Sequence, residues 1–229
     1  MNLSFLRFVK NTSFSVRATA LVLSFAIGAS AATLTVGPKG VYKTPCKAIA
    51  AAAAGDTIQV DAAGSYNGDV CHWPTNNLTI QGVNGRPHID AAGHNSEAKA
   101  IWVIDGANTT IENMEFSGTR NSSLNGAAIR FEGVGLTIRN CYFHDNQEGI
   151  LTNRDNIGDI VIEYTEFGYN GAGDGFSHNM YINHAEHFTL RYCYSHHANV
   201  GHLVKSRAKV KCSAWLIYIL WENPSPAPL

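Results

Sequence analysis

Seven of the ten histidines lie between His144 and His202, in a stretch that also carries Asp145, Glu148, Arg154, Asp155, Asp174, Lys205 and Arg207. Imidazole exchanges protons near neutrality, and lysine and arginine neutralise anions, so this mixture suits proton transfer beside a negatively charged group. The sharpest element is Lys205-Ser206-Arg207. Two cations flanking one serine directly after an apolar strand are costly near a core unless they face a cleft, and an anionic polymer would supply the missing partner. A solvated coil edge is the competing reading of the same three residues. The chemistry that would use the set is removal of the acidified C5 proton of a uronic acid. That needs a base, a cation on the sugar carboxylate, and an acid for the leaving oxygen. Lys205 or His178 is the expected base and Arg207 the carboxylate clamp, with His202, Asp174, Asn179, Glu148 and Arg154 expected to bind substrate.

Cofactor signals are sparse. Gly171-Ala172-Gly173-Asp174-Gly175 hints at a calcium-binding Gly-Asp repeat, but it is a single copy, so Ca2+ is a candidate there and no cofactor is required. None of the five cysteines has CxxC spacing, and no metal site is expected. Cys46 and Cys71 are placed to bond; Cys141 and Cys193 occupy one repeat position two coils apart, about 10 Å, which is beyond disulfide reach.

The elements that would hold these residues repeat. Leu78–Gly82, Thr109–Asn113, Leu136–Asn140, Ile160–Tyr164 and Phe188–Tyr192 superimpose, with central residues spaced 31, 27, 24 and 28 apart. Each alternates apolar and polar as a half-buried strand does, and the intervals are too short for a crossover helix. Five residues past the centre come Phe116, Phe143 and Phe167, an expected buried column. One residue past it come Gln81, Glu112, Arg139, Glu163 and Arg191, whose alternating sign from Glu112 onward suits coils stacked in register about 4.8 Å apart. A second short apolar strand occupies each interval: Ile101–Ile104, Ala127–Ile129, Gly149–Leu151, Met180–Ile182 and Leu203–Val204. The pattern predicts an all-β, right-handed parallel β-helix of about five to six coils over residues 57–211. Turns 3 to 5 would then bring His144, Asp145, Asn146 and Glu148, then Asp174, Ser177, His178 and Asn179, then His196, His197, His202, Lys205 and Arg207 into one polar wall.

Residues 32–56 read as a first strand and a capping helix, with Thr44 as N-cap, Pro45 at the first helical position and Gly55 at C′. Val36-Gly37-Pro38, the Ala-rich helix, Gly55-Asp56-Thr57-Ile58 and Gly64-Ser65-Tyr66 resemble the opening of secreted right-handed β-helix proteins of the pectate-lyase-like superfamily. That superfamily holds lyases, hydrolases, epimerases and binding proteins, so the resemblance implies a fold more than an activity. The segment His202–Arg207 is similar to the lysine-bearing strand of polysaccharide lyase family 6, the alginate and dermatan lyases, which implies Lys205 as base. The family's acid is an arginine on the next coil, and no arginine follows Arg207. Asp174 and His178 resemble the Asp-x-x-x-His arrangement of β-helical alginate epimerases. Gly201-His202 is a fainter echo of the polygalacturonases, inverting hydrolases that need two separated carboxylates. A non-catalytic glycan-binding or surface protein is the alternative from another class, with Tyr164, Tyr169, Tyr181 and Tyr192 suited to stacking on sugars.

Composition sets the outer bounds. The 229 residues are 45% hydrophobic and only 15% charged, with 21 glycines, as expected of a turn-rich β protein. Three cations within residues 1–17, an apolar run at Ala18–Ala29 and the Ala29-Ser30-Ala31 signature predict a signal peptide at 1–31 and a secreted or periplasmic protein. The remainder has 14 basic against 18 acidic residues and no basic stripe, which argues against nucleic acid, and no membrane association is expected after cleavage. The expected partner is an acidic polysaccharide, bound by a monomer. Residues 212–229 form an atypical apolar and Pro-rich tail without a recognisable C-terminal cap. A truncated or frame-altered array and an unusual cap both fit it.

Overall fold

In the computed structural model, residues 30–155, 157–214 and 217–219 are described. The predicted signal peptide lies outside them except for its last two residues.

Three parallel sheets run through the described residues from Thr33 to Ile219. The first has eight strands, Thr33–Val36, Thr57–Asp61, Thr79–Val83, Thr109–Glu112, Leu136–Arg139, Ile160–Glu163, His187–Arg191 and Val210–Ala214. The second stacks Cys71–Trp73, Ala100–Ile104, Ala127–Phe131, Glu148–Thr152, Met180–Ile182 and Lys205–Ser206. The third stacks His88–Asp90, Glu115–Ser117, Tyr142–His144, Glu166–Gly168, Tyr194–His196 and Ile217–Ile219. From Thr79 onward each turn visits the first, third and second sheets in that order, so successive strands of one sheet are one turn apart. The solenoid has about seven turns rather than five to six. The extra length is at both ends. Thr33–Val36, grouped with the cap on sequence, pairs with Thr57–Val60, and parallel pairing continues past Lys211 through Ala214 and Ile217–Ile219.

In-register stacking turns each inward repeat position into a column. Ile58, Ile80, Ile111, Ile138, Ile162 and Leu190 pair one above another and are buried. The predicted phenylalanine column forms, with Phe143 stacked 5.2 Å from Phe116 and 4.9 Å from Phe167. The ladder on the outer side also forms. Arg139 lies 3.1 Å from Glu112 and 2.8 Å from Glu163, which in turn pairs with Arg191. The Arg139 and Arg191 guanidiniums hold the Glu163 carboxyl below the usual range despite its burial.

The corners repeat as well. Asn113, Asn140, Tyr164 and Tyr192, each one residue past the first sheet, all have φ between 50° and 56°. Gly118, Asp145, Tyr169 and His197 turn the chain from third to second sheet with φ of 81°, 51°, 56° and 44°. A single left-handed residue reverses the side-chain alternation and bends the strand path within one residue. Glycine meets that requirement without steric cost only at Gly118 in this column; the others bear side chains and are held there by the turns above and below.

The helix spans Pro45–Ala51, with Ala48 and Ile49 buried. Its capping differs from expectation. Thr44 makes no side-chain cap; Asp69, 23 residues away, accepts the Cys46 N–H at 2.8 Å. Ala52 already has extended geometry, and Gly55 (φ 94°) sits in the turn beyond rather than at C′. Cys46 and Cys71 are disulfide-bonded, tying the helix to the second sheet's first strand. Cys141 and Cys193 are buried free thiols.

Candidate functional site

The outward face of the second sheet changes character along the solenoid. Val103, Arg130, Leu151, Tyr181 and Lys205 form one register row, and Ala100, Ala127 and Glu148 begin another. Gly149 N–H donates to the His178 carbonyl, which places His178 beside Glu148 on the next turn. The early turns are apolar outside as well as inside: Ala100, Val103, Ala127 and Leu151 form a small separate cluster against which Tyr181 packs. Beyond it the face becomes ionisable within two turns.

His178 is the hub. Its backbone N–H donates to Glu148 Oε2 at 3.0 Å, its Nδ1 accepts the His202 backbone N–H at 3.1 Å, and its Nε2 lies 3.0 Å from Lys205 Nζ. Because Nδ1 accepts, the hydrogen-bond pattern assigns the ring proton of a neutral His178 to Nε2, pointing at Lys205. Only the lone pair of an unprotonated amine accepts that hydrogen. On its other side, Lys205 Nζ sits 4.1 Å from the Tyr181 ring centroid. Arg207 is exposed at the strand's end, its guanidinium carbon 5.5 Å from the same ring.

Burial sets the charges behind this surface. Desolvation pushes the Glu148 carboxyl up to about 8, against a smaller opposing effect of the His178 N–H. Desolvation, with the Lys205 charge second, pushes His178 down to about 4. At neutral pH both are uncharged, so Glu148 does not cancel the cations in front of it.

The structure thus brings together Glu148, His178, His202, Lys205 and Arg207, and separates the rest. Asn179, expected to bind substrate, points inward and is fully buried. Its amide ends a ladder in which Asn146 donates to Asn170 and Asn170 to Asn179, each at 3.1 Å, while Asn179 donates to Ser195 Oγ and the His196 carbonyl. The ladder satisfies backbone carbonyls at the inner corner, which is structural work. Asp174 Oδ1 accepts the N–H groups of Phe176 and Ser177 and the Ser177 hydroxyl, closing the loop that leads into His178. That loop is the calcium candidate, and it folds as a turn held by these bonds. Arg154 lies apart, its side chain 80% exposed and 3.9 Å from Asp155. His144, Asp145, His196 and His197 are not on this wall. The left-handed corners at Asp145 and His197 intervene between them and the second sheet, so they belong to the third sheet's face and its corner. The single polar wall expected from sequence is two walls.

Two further residues lie on this face without having been predicted for it. Arg130 shares the Lys205 register row, three strands away, and lies 3.0 Å from Glu132. Its row position was legible in principle, since it follows Ala127–Ile129 as Lys205 follows Leu203–Val204. Tyr181, singled out only as a sugar-stacking tyrosine, instead lies against Lys205, Arg207 and the His178 ring.

Compared with known families, residues 69–214 match the family described as right handed beta helix region. Comparison with curated proteins and with solved structures gave no match.

Proposed function

Given that the chain belongs to the right-handed β-helix family, we propose that its second-sheet face acts on a uronic-acid polysaccharide by C5 proton abstraction. The observation that carries this reading is the 3.0 Å approach of Lys205 Nζ to His178 Nε2 over the Tyr181 ring. Lys205 takes the C5 proton, the C5 electron pair forms the C4–C5 double bond, and the C4–O4 bond breaks. His202, exposed beside His178, is placed to give the leaving oxygen its proton. Arg207 neutralises the sugar carboxylate as charge develops on it. Return of a proton to the opposite face of C5, without loss of O4, would make the same site an epimerase. The resemblance of His202–Arg207 to polysaccharide lyase family 6 supports elimination; the predicted signal peptide and the Cys46–Cys71 disulfide support a secreted enzyme.

An inverting hydrolase fits less well, because Glu148 is 2% exposed and Asp174 Oδ1 is committed to its own loop. Non-catalytic glycan binding has one observation in its favour. Tyr164 and Tyr192, 58% and 44% exposed, stack 4.9 Å apart on the corner beyond the first sheet and leave aromatic area open to solvent.

The test is ultraviolet absorbance of the unsaturated product on alginate, pectate and glycosaminoglycans, together with solvent deuterium uptake at C5. Wild type should give one or both signals on at least one polymer. Lys205→Ala should lower the rate about 10²–10⁴-fold while retaining polymer binding. Neither signal on any polymer, with binding unaffected by Lys205→Ala, would sink the catalytic reading in favour of the tyrosine corner.

A further inference from the structure

On the outward face of the third sheet, away from the proposed active site, His88, Glu115 and His144 come from three successive turns. His88 and Glu115 pair in register, as do Glu115 and Tyr142, and His144 is two residues beyond Tyr142 on the same side of the strand. Their donor atoms converge. Glu115 Oε1 is 3.1 Å from His144 Nε2 and 3.8 Å from His88 Nδ1, and one ligand atom from each residue lies within 4.8 Å of the other two. Ligands held about 2.0–2.1 Å from a tetrahedral Zn2+ are separated by roughly 3.3 Å, so small side-chain adjustments would close the set.

The far sides of both rings are independently held. His144 Nδ1 lies 2.7 Å from Asp145 Oδ2, and His88 Nε2 lies 2.7 Å from Ser117 Oγ. This outer arrangement fixes the tautomer of a metal-bound imidazole and points the remaining lone pair at the ion. The Tyr142 ring, stacked 4.2 Å from His144, restricts its rotation further. A His144 imidazolium between two carboxylates accounts for the Glu115 and Asp145 contacts on His144. It does not account for His88 Nδ1 turning toward the same Glu115 oxygen. Side-chain exposures of 42% for His88, 27% for Glu115 and 15% for His144 leave an approach from solvent.

We propose that His88, Glu115 and His144 form a divalent transition-metal site of the zinc type, with two imidazole nitrogens, one carboxylate oxygen and a fourth position open to water. The donor set selects against calcium and magnesium, which take oxygen ligands. Bound metal would bridge three turns along the third sheet and hold their register from outside, independently of the second-sheet chemistry.

The probe is Zn2+ alone, added to chelator-treated full-length protein and followed by isothermal calorimetry, with Co2+ as a spectroscopic substitute. Wild type should bind one equivalent, release protons as it does so, and show tetrahedral Co2+ ligand-field bands. His88→Ala, Glu115→Gln and His144→Ala should each weaken binding at least about tenfold, and Asp145→Asn about 10–100-fold through orientation of His144. Zn2+ should raise the melting temperature of wild type but not of His144→Ala; circular dichroism before metal addition verifies that each variant is folded. His187→Ala, at an exposed histidine paired with Asp159 elsewhere, should change nothing. Absence of binding by wild type, or equal binding by wild type and the folded His88, Glu115 and His144 variants, overturns the site.

Discussion

Glu148 and His178 are neighbours whose titrations are displaced in opposite directions by the same burial, Glu148 up to about 8 and His178 down to about 4. Each displacement predicts a window of pH-dependent stability. Between the ordinary carboxylate value of 4.5 and about 8, unfolded Glu148 has lost its proton and folded Glu148 keeps it, so its contribution to stability is full below that window and falls as pH rises through it. Between 6.5 and about 4, unfolded His178 gains a proton that the folded ring refuses, so its contribution is full above 6.5 and is lost as pH falls. Urea unfolding at stepped pH should show Glu148→Gln flattening the alkaline limb and leaving the acid limb in place; identical limbs in the two proteins would contradict the burial account. Both residues stand out in the sequence as polar candidates. Their neutrality does not, because it comes from the desolvation that stacking imposes.

At the scale of the strand and the turn, two inward columns do different work. Phe143 contributes apolar area between Phe116 and Phe167. Asn170 contributes hydrogen bonds: it accepts from Asn146, donates to Asn179, and also donates to the Phe143 carbonyl at 2.9 Å. Phe143→Ala should cost about 3–5 kcal/mol through lost transfer energy and a cavity. Asn170→Ala leaves buried partners on both sides, each unsatisfied group costing about 1–3 kcal/mol, so a truncation that removes far less apolar area should be about as damaging. Chemical denaturation of both variants checks this; an Asn170→Ala loss below about 1 kcal/mol would make the ladder incidental. The phenylalanine column was legible because a large apolar ring recurring at one fixed repeat offset must point to the same side of every turn, and only the inside buries it. The asparagine column was not, because only Asn146 and Asn170 share a repeat offset, Asn179 comes from a later position in its turn, and asparagine ordinarily signals an exposed turn.

For the whole molecule, stability is close to a sum over turns and the contacts between neighbouring turns, which makes the ends the places where unravelling starts. The Cys46–Cys71 disulfide closes a 25-residue separation and fastens the helix over the first turn. Its reduction should lower stability by about 3–4 kcal/mol in the chain-entropy account. Thermal melts with and without a reductant measure this, with the Cys46→Ala/Cys71→Ala double variant expected to match the reduced protein. No effect of the reductant on the melt would show that the helix does not guard this end. In the folded protein burial pushes the free Cys141 and Cys193 thiols up to about 12 and about 11, whereas free Cys212 is exposed, so the melts compare proteins carrying Cys141→Ala, Cys193→Ala and Cys212→Ser throughout.

What the amino-acid sequence determined by itself is the stack: repeat length, strand period, the Ile and Phe columns and the Glu112–Arg139–Glu163–Arg191 ladder are all one-dimensional patterns. In-register stacking converts position along the repeat directly into position in space. Only the tertiary structure decided which face each polar residue occupies. His144 and Glu148 are four residues apart, yet the left-handed turn at Asp145 puts them on different sheets, whereas His178 and Lys205, 27 residues apart, meet at 3.0 Å. A corner is one residue's φ, held by the turns above and below it, and a side chain at that residue carries no local mark of the bend.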